Sequence, residues 1–551
     1  MLFHLLQIIS IILLITLFTC SYIGFGVFFN NIIFKHKAIL NLGHLGLLGI
    51  FFLITLSYLT SLFVPHNSFH NILVLALGIL FFYNNRNKFK KSEIKTILYI
   101  IFLTLIIFFI SKNHDDFQYY HLPFSLSLSE NKISLGMGLL NYGYRHHSSL
   151  LFLNSLSFLP WIKYYLFNLP NYLILIFVNF ILFDEIIKNI KKKNLIFLIS
   201  IFFLVLINVK FTRLAEYGTD LAGQLILSII TINFIKIITN KESIEKIYFN
   251  IFLLLIIFSF KVYFLLYFLI IPLVFWDLKI NPFLKKNFNI RISMFILFFT
   301  FLFFLHNFIS TGCLIYPIEF TCAGDRLFWS LSIDEVKRLN LWGEVWAKAG
   351  ATPNYVIDDF EKYIQGINWL PLWYQEYFLG KFTDFILVLL TINLVIFFTF
   401  NKKIYFDKKN FYKVQKILLL LSILTLIFWF FKHPSLRYGG YFPVSLLSVS
   451  IFLFFYSKLG KVDNGLKTTK VLILIIILIF NFKNIVRLAK GPYKFDNFPF
   501  YNVIKKDFKT LSHEGNKYMY ITEGYCWATP TPCSNTKRKI KIINNYVLFV
   551  R

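Results

Sequence analysis

The chain has 551 residues, of which 57% are hydrophobic, 20% aromatic and 15% charged, and its mean hydropathy is +0.65. This composition excludes a soluble globular domain and indicates a polytopic membrane protein. The formal charge is +29, but lysine and arginine occur in short clusters between apolar runs. Such clusters hold loops in the cytoplasm, so we expect contacts with membrane lipid and no nucleic-acid partner.

Four apolar runs precede the first polar loop. The run at 5–29 is too long for a cleaved signal peptide and has no small-residue cleavage site after it, so it predicts the first membrane helix. Runs at 39–64, 72–83 and 97–110 follow. The basic segment 84–95 is predicted to be cytoplasmic, which sends the fourth run to the extracytoplasmic side.

The loop reached in this way, residues 113–147, is unusually rich in chemistry-bearing side chains. It opens with the adjacent carboxylates Asp115 and Asp116, continues through an aromatic and histidine segment, and closes on a basic one: Tyr119, Tyr120, His121, Pro123, Arg145, His146 and His147. A polar loop of this kind beside a membrane helix predicts a functional site at the membrane surface.

The remaining apolar runs alternate with basic clusters. Residues 148–162 are predicted to be interfacial or re-entrant, and 247–276 is predicted to form a hairpin with Lys261 at its outer turn, because it is longer than one crossing needs. The other predicted crossings are 166–187, 195–209, 221–238, 292–308, 382–400, 417–431, 442–456 and 471–482. The prediction is an all-α polytopic membrane protein with about 14 transmembrane helices, or as few as about 11.

Five regions follow from this pattern. They are N-terminal transmembrane helices, a transmembrane core carrying the polar loop, a large extracytoplasmic loop rich in tryptophan, C-terminal transmembrane helices and an extracytoplasmic tail: 1–95, 96–309, 310–381, 382–482 and 483–551.

Four of the five cysteines lie outside the predicted helices, all on the predicted outer side. Cys313 and Cys322 share the large loop, and Cys526 and Cys533 share the tail. Because disulfides persist in oxidising compartments, these are two candidate local bridges. The alternative is four unpaired thiols, since spacing alone does not establish pairing.

Asp115 and Asp116 are the candidate catalytic residues. One carboxylate could act as general base toward an acceptor hydroxyl while its neighbour orients it or binds a divalent cation such as Mg²⁺ or Mn²⁺. Two carboxylates alone do not complete an octahedral metal site. The structural alternative is a solvated loop in which Asp116 caps a helix that begins at Phe117.

The rest of the polar loop offers candidate substrate-binding groups. Tyr120 and His121 could bind a substrate phosphate or orient a carboxylate, whereas a histidine in an interfacial helix is often only packed. Arg145, with His146 and His147, could contact an anionic phosphate. The alternative for these three is anchoring to lipid headgroups.

Three further outer turns each present a cation. Arg213 lies on one together with Glu216 and Asp220, Lys261 on the next, and Arg437 beside Tyr438 on a third. Arginine and lysine donors of this kind bind a pyrophosphate or phosphodiester leaving group. Each could instead be an interfacial anchor or the partner of a nearby acid.

These residues resemble the GT-C superfamily of polytopic glycosyltransferases, which includes protein mannosyltransferases, the aminoarabinose lipid A transferase and oligosaccharyltransferases. The resemblance covers about 97–456 and is carried by the acidic pair and by short segments that look like landmarks of poorly characterised bacterial members: 116–123, 213–220, 312–317 and 434–438.

The resemblance implies a donor sugar on a polyprenyl phosphate, inverting transfer to a cell-envelope glycan, lipid or protein, and a site on the periplasmic side of a bacterial inner membrane. Asp115 or Asp116 would be the base, with Lys261 and Arg437 as donor-phosphate ligands. Two features depart from the family pattern. Four helices precede the acidic loop where many members have one, and no large soluble C-terminal domain follows.

Two other functions remain open at this stage. A lipid-glycan or polysaccharide exporter would carry coupling acids inside helices, whereas most ionisable residues here lie at helix ends. An O-antigen polymerase or ligase would share the many helices and the large outer loop. Motifs for phosphate loops, dinucleotide binding, zinc hydrolysis and serine hydrolysis are missing from the sequence.

Overall fold

The structure is a computed structural model of the chain. It describes residues 2–34, 40–110, 116–191, 194–212, 218–240, 244–278, 290–351, 357–400, 402–403, 408–456, 460–461, 465–490, 500–504, 506–513, 516–520, 524–534, 539–543 and 546–550.

These residues are mainly α-helical. In chain order the helices are α1 (Leu2–Phe34), α2 (Leu42–Ser61), α3 (Ser68–Asn85), α4 (Lys91–Thr104), α5 (Leu122–Glu130), α6 (Ser149–Ser155), α7 (Leu169–Asn189), α8 (Leu195–Lys210), α9 (Leu221–Asn240), α10 (Ile244–Phe260), α11 (Ile270–Leu278), α12 (Ile290–Thr311), α13 (Ile333–Lys348), α14 (Phe360–Ile364), α15 (Leu370–Trp373), α16 (Thr383–Thr399), α17 (Lys408–Lys432), α18 (Tyr441–Tyr456) and α19 (Gly465–Ala489). Helical turns of 3₁₀ or π geometry adjoin several of these helices: Leu105–Phe109 and Val262–Leu269 are 3₁₀, and Phe117–His121, Tyr374–Phe382 and Leu436–Gly440 are π.

Eleven helical segments of the described chain are long and apolar enough to cross a membrane, and three shorter apolar helices accompany them. The prediction of an all-α polytopic membrane protein is therefore confirmed, with eleven spans by length and composition. The three shorter segments, 195–210, 246–260 and 262–276, are those that the higher predicted count of about 14 treats as crossings.

Local sequence explains where several helices begin and how closely they pack. Asn41 and Asn67 cap α2 and α3, each accepting a hydrogen bond over 3.0 Å from the backbone nitrogen three residues later. Gly26 and Gly49 lie where α1 crosses α2, and a Cβ at either would lie 1.8 Å from a carbonyl oxygen of the other helix. The small residues therefore permit close backbone approach.

The helix breaks at Lys261, as the length of the apolar run 247–276 predicts. α10 ends at Phe260, Lys261 has extended backbone, and the segment Val262–Leu269 packs back against α10 before α11 begins. Residues 148–162 contain α6, a short helix whose residues are all buried and which packs against α2, α5 and α10.

The last helix is longer than the sequence pattern predicts. We expected the tail to begin at 483, but α19 continues to Ala489. Lys483 and Arg487 do not end it, because Lys483 Nζ donates to the Val209 carbonyl over 3.0 Å and Arg487 Nη1 donates to the Thr212 carbonyl over 3.0 Å. The charges are thus satisfied by the segment that follows α8.

The strands of the tail form small sheets that contact residues of the polar loop (113–147). In chain order the strands are β1 (Lys402–Lys403), β2 (Gly460–Lys461), β3 (Lys509–His513), β4 (Asn516–Tyr520), β5 (Cys533–Ser534), β6 (Lys539–Ile543) and β7 (Tyr546–Val550). β1 and β2 precede the tail and pair with each other, and β3 to β7 belong to the tail. β3 pairs with β4, β4 with β5, and β6 with β7. Leu135 joins β7, since its amide donates to the Val547 carbonyl over 3.0 Å.

Two buried histidines near helix ends are expected to make stability dependent on pH. His66 bonds to Thr60 and Ser155, and His147 Nε2 lies 2.8 Å from the Tyr58 hydroxyl. Burial lowers the pKa of both imidazoles well below the usual value, so the folded state holds them neutral.

We therefore expect stability to be fully present above about pH 6.5, where the unfolded chain is also neutral, and to fall below it. For each histidine, the free energy of unfolding falls by at most about 1.4 kcal/mol per pH unit. Thermal unfolding in detergent at pH 7.5 and pH 5 measures this, with His147→Gln expected to reduce the acid-induced fall in Tm. A Tm that does not change over this range contradicts the account.

Candidate functional site

Arg437 joins two carboxylates from distant parts of the chain. Its Nε donates to Asp220 Oδ2 and its Nη2 donates to Asp116 Oδ2, each over 2.5 Å. The planar guanidinium has donors on separate nitrogens, so one side chain can bridge two acids. Asp116 and Arg437 are 321 residues apart, and only the fold brings them together.

Lys261 adds a second positive charge on the other side of Asp220. Its Nζ lies 3.3 Å from Asp220 Oδ1, and the Asp220 side chain is only 3% exposed. A buried carboxylate is tolerated when cations compensate its charge, as here. We call Asp116, Asp220, Lys261 and Arg437 the charged cluster; their formal charges balance.

Each member of the charged cluster lies at a helix end. Asp116 immediately precedes the turn Phe117–His121, Asp220 immediately precedes α9, Lys261 immediately follows α10, and Arg437 lies in the turn that leads into α18. Ionisable side chains at helix ends avoid the cost of a position at the centre of the bilayer. Asp116 and Arg437 are 29% and 28% exposed, so a substrate has access to them.

The turn that carries Arg437 is held from two sides. Gly439 has φ +78°, and a Cβ there would lie 2.6 Å from the Tyr263 ring, so only glycine suits the position. Trp373 donates from Nε1 to the Pro434 carbonyl over 2.7 Å. The tryptophan-rich loop thus contributes to the placement of Arg437.

Tyr120 and His121 pack beside the charged cluster. Tyr120 is buried; burial and then the charges of Asp116 and Asp220 raise the pKa of its phenol well above the usual value, so it is neutral. The His121 ring lies against Gly218, where a Cβ would be 2.4 Å from its Cε1. Both side chains enclose the cluster.

His146 is an exposed residue beside the cluster, and its ring centre lies 5.4 Å from that of the buried Tyr316. It lies within electrostatic reach of Lys261, Asp116 and Asp220, so its imidazole is placed to form hydrogen bonds with a molecule at the cluster.

Tyr438 connects the cluster to the large loop. The Arg437 Cζ lies 5.8 Å from the Tyr438 ring centre, and the Trp346 ring of α13 is 5.7 Å from it on edge. α13 therefore lies over this part of the site.

Arg145 and His147 are directed inward. Arg145 is 2% exposed, and its Nη2 donates to Glu335 Oε1 over 2.8 Å while its Nε donates to the Gly138 carbonyl over 2.7 Å. His147 is buried against Tyr58. Neither side chain reaches the surface. The predicted contact of Arg145 with an anionic phosphate and the alternative of headgroup anchoring both disagree with this burial.

Replacing Arg145 with methionine is expected to lower the free energy of unfolding by about 3–5 kcal/mol, because Glu335 would keep a partly buried charge with no guanidinium partner. The measurement is thermal unfolding in detergent without anionic lipid. Adding Glu335→Gln should recover part of the loss. An unchanged Tm in Arg145→Met would mean that the ion pair contributes nothing to the fold.

Three of the residues singled out from the sequence, Asp115, Arg213 and Glu216, lie outside the described residues. Asp116 does not cap the helix that follows, since its side chain makes no capping hydrogen bond, so that alternative is wrong. Among the described residues, no group of three or more His, Cys, Asp or Glu side chains is placed to hold a metal ion. The described carboxylates of the cluster contact cations instead.

Several residues that form or support the charged cluster were not selected as site residues from the sequence. Asp220 was noted only as one acid of its turn, because it has no adjacent carboxylate of the kind that selected Asp116. Tyr263 gave no signal, because an aromatic residue in an apolar segment is ordinary. Trp373 was noted only as one tryptophan of the large loop. The structure joins Cys313 with Cys322 and Cys526 with Cys533, the two candidate bridges.

The family described as "Domain of unknown function (DUF8201)" matches residues 5–444. This range contains all four residues of the charged cluster, while most of α18, α19 and the tail lie beyond it. No match was found among curated proteins or among solved structures.

Proposed function

The chain belongs to the DUF8201 family, whose function is not assigned, and from the charged cluster we propose that it is a membrane glycosyltransferase. It moves a sugar from a polyprenyl-phosphate-linked donor to a cell-envelope glycan, lipid or protein on the extracytoplasmic face. The observation that carries the proposal is the position of Arg437 between Asp116 and Asp220, with Lys261 beside Asp220.

Asp116 is the general base of the proposed reaction. The acceptor hydroxyl gives its proton to the Asp116 carboxylate as its oxygen forms a bond to the anomeric carbon of the donor. The bond between that carbon and the donor phosphate oxygen breaks, and its electron pair leaves with the polyprenyl phosphate. Attack opposite the leaving group inverts the anomeric configuration.

Arg437 and Lys261 bind the departing phosphate. Both are cations within reach of one carboxylate, so a phosphate that approaches the cluster meets a guanidinium and an ammonium together. Asp220, almost fully buried, keeps the two cations in position. Two described carboxylates engaged with cations do not constitute a divalent-cation site, so the proposal uses no metal step.

An extracytoplasmic location is supported by the distribution of cysteines and basic residues. Cys313–Cys322 lies in the loop that contacts the cluster through α13, and disulfides require an oxidising compartment. α9 separates Asp220, just before its first residue, from Lys236 by about 24 Å at the usual rise. Lys236 pairs with Glu185 at the far end of the bundle, next to the basic segment 188–194. Basic loops favour the cytoplasm.

Export of a lipid-linked glycan is the second candidate, favoured by the Glu185–Lys236 pair, an acid and a base held between α7 and α9 near the end of the bundle away from the charged cluster. The two functions can be distinguished in detergent, because detergent-solubilised protein can catalyse transfer but has no compartments between which to transport a donor. We expect purified protein in detergent to release free polyprenyl phosphate and glycosylated acceptor from donor. Donor that changes side in sealed vesicles but stays intact in detergent would favour export and contradict the transferase.

A further inference from the structure

Three tyrosines from separate segments meet beside the charged cluster. The Tyr119 and Tyr525 ring centres are 5.1 Å apart with planes inclined at 57°. The Asn141 side chain donates to the Tyr119 carbonyl over 3.0 Å, which brings the neighbouring Tyr142 alongside. We call Tyr119, Tyr142 and Tyr525 the tyrosine surface.

The tyrosine surface is accessible yet firmly supported. Tyr142 is 50% and Tyr525 43% exposed. The Arg145 guanidinium, itself held by Glu335, lies 4.3 Å from the Tyr142 ring centre. On the other side, the tail segment that carries Tyr525 is closed by Cys526–Cys533.

The tail itself is held against the polar loop by hydrogen bonds, so the segment that carries Tyr525 is fixed in place. The Trp527 amide donates to the Gln118 carbonyl over 3.3 Å, and Thr531 donates from its amide and its hydroxyl to Glu130 Oε2 over 2.8 and 2.6 Å. Supported aromatic rings bind at low conformational-entropy cost, because little freedom remains to be lost.

The surface is continuous with the charged cluster. The Tyr119 ring centre lies 5.9 Å from that of Tyr120, the buried phenol that is influenced by Asp116 and Asp220. A molecule lying on Tyr525 and Tyr119 would therefore extend toward Asp116, the group that must meet the acceptor hydroxyl.

We propose that the tyrosine surface is the acceptor subsite, and that it takes a sugar ring of a glycan acceptor. The inference rests on the proposed transferase function and specifies its acceptor class. A pyranose ring has an apolar C–H face that packs on aromatic carbon and an edge of hydroxyls that bond to phenols. Tyrosines that are half exposed, with polar tips, suit such a ring better than an acyl chain.

The test is binding of fluorescently labelled hexose and N-acetylhexosamine tetrasaccharides to the purified full-length protein in detergent. Tyr525→Ala and Tyr142→Ala are each expected to raise the Kd about three- to tenfold, the range for loss of one aromatic contact. Tyr525→Phe keeps the ring and loses only the hydrogen bond of the phenol, so it should raise the Kd less than Tyr525→Ala does. Tm values check that every variant is folded.

Tyr412→Ala is the matched control. Tyr412 is 57% exposed but lies in the first turns of α17, about 30 Å along that helix from its end near Arg437. An unchanged Kd in Tyr525→Ala, a Kd raised equally by Tyr412→Ala, or a wild type that binds none of the saccharides would overturn the inference. A wild type that glycosylates only peptides or lipids would overturn it as well.

Binding needs no donor, so failure of the inference is distinguishable from failure of the proposed function. Donor turnover that persists in Tyr525→Ala without any saccharide binding in wild type removes the acceptor assignment and leaves the transferase. Saccharide binding through Tyr525 in a protein that never releases polyprenyl phosphate removes the transferase, and with it the acceptor role of the surface.

Discussion

Replacing Asp116 with asparagine is expected to reduce sugar transfer by about 10²–10⁴-fold, the usual contribution of a general base. The amide has the shape of the carboxylate, and its oxygen can still accept from Arg437 Nη2, so the contact that joins the two segments is retained. An amide cannot take a proton from the acceptor hydroxyl. The loss should therefore appear in kcat, with the amount of folded protein in the membrane unchanged.

Asp334→Asn is the matched control for this variant. Asp334 is an exposed acid in the first turn of α13 and contacts no residue of the charged cluster in the structure. Its replacement should leave transfer within about twofold of wild type. Asp115→Asn, made in parallel, reports which carboxylate of the pair carries the reaction. Full activity in both single variants would end the catalytic claim for the acidic pair.

Replacing Arg437 with methionine is expected to abolish transfer and to lower the free energy of unfolding by about 2–5 kcal/mol, because a buried carboxylate loses its main partner. Of the two cations that the structure places beside Asp220, Lys261 would remain, at 3.3 Å. Adding Asp220→Asn to Arg437→Met removes the uncompensated charge, so it should restore much of the stability without restoring transfer. Thermal unfolding and transfer, measured on the same preparations, separate the two effects.

Arg437→Lys distinguishes geometry from charge. A lysine keeps the positive charge but cannot present separate donors to two carboxylates, so we expect a fold close to wild type with transfer reduced about 10²-fold. Lys432→Met is the control. Lys432 is 55% exposed and 3.4 Å from Glu344, and exposed pairs contribute about 0–1 kcal/mol. Wild-type transfer by Arg437→Lys would mean that bridging of the two acids is not required.

The transmembrane architecture could be predicted because it depends on local composition. Apolar runs bounded by basic clusters marked most of the helices, and Lys261 marked a break because a lysine within an apolar run is costly. The end of α19 was missed because the charges of Lys483 and Arg487 are satisfied by backbone of residues 209–212, far away in sequence.

Three of the four members of the charged cluster were predicted as site residues, but their geometry was not. Asp116 was selected as one of an adjacent acid pair, and Lys261 and Arg437 as cations on outer turns. That Arg437 joins Asp220 and Asp116 depends on contacts across 217 and 321 residues, for which the sequence carries no local signal.

Arg145 shows the opposite outcome. Its position beside two histidines in a polar loop predicted a surface role, but its partner Glu335 lies 190 residues further along in the large loop. The placement of the tail was not predicted for the same reason: its strands are positioned by contacts with residues 117–140, about 400 positions earlier.

The most direct test of the central claim follows a radiolabelled sugar and its lipid carrier together. Purified wild type and Asp116→Asn protein, at matched amounts, are incubated with a panel of polyprenyl-phosphate sugars and a cell-envelope glycan fraction. The account predicts that wild type transfers label from at least one donor and releases polyprenyl phosphate in equal amount, and that Asp116→Asn does neither. Folded wild type that releases no polyprenyl phosphate from any donor would contradict it.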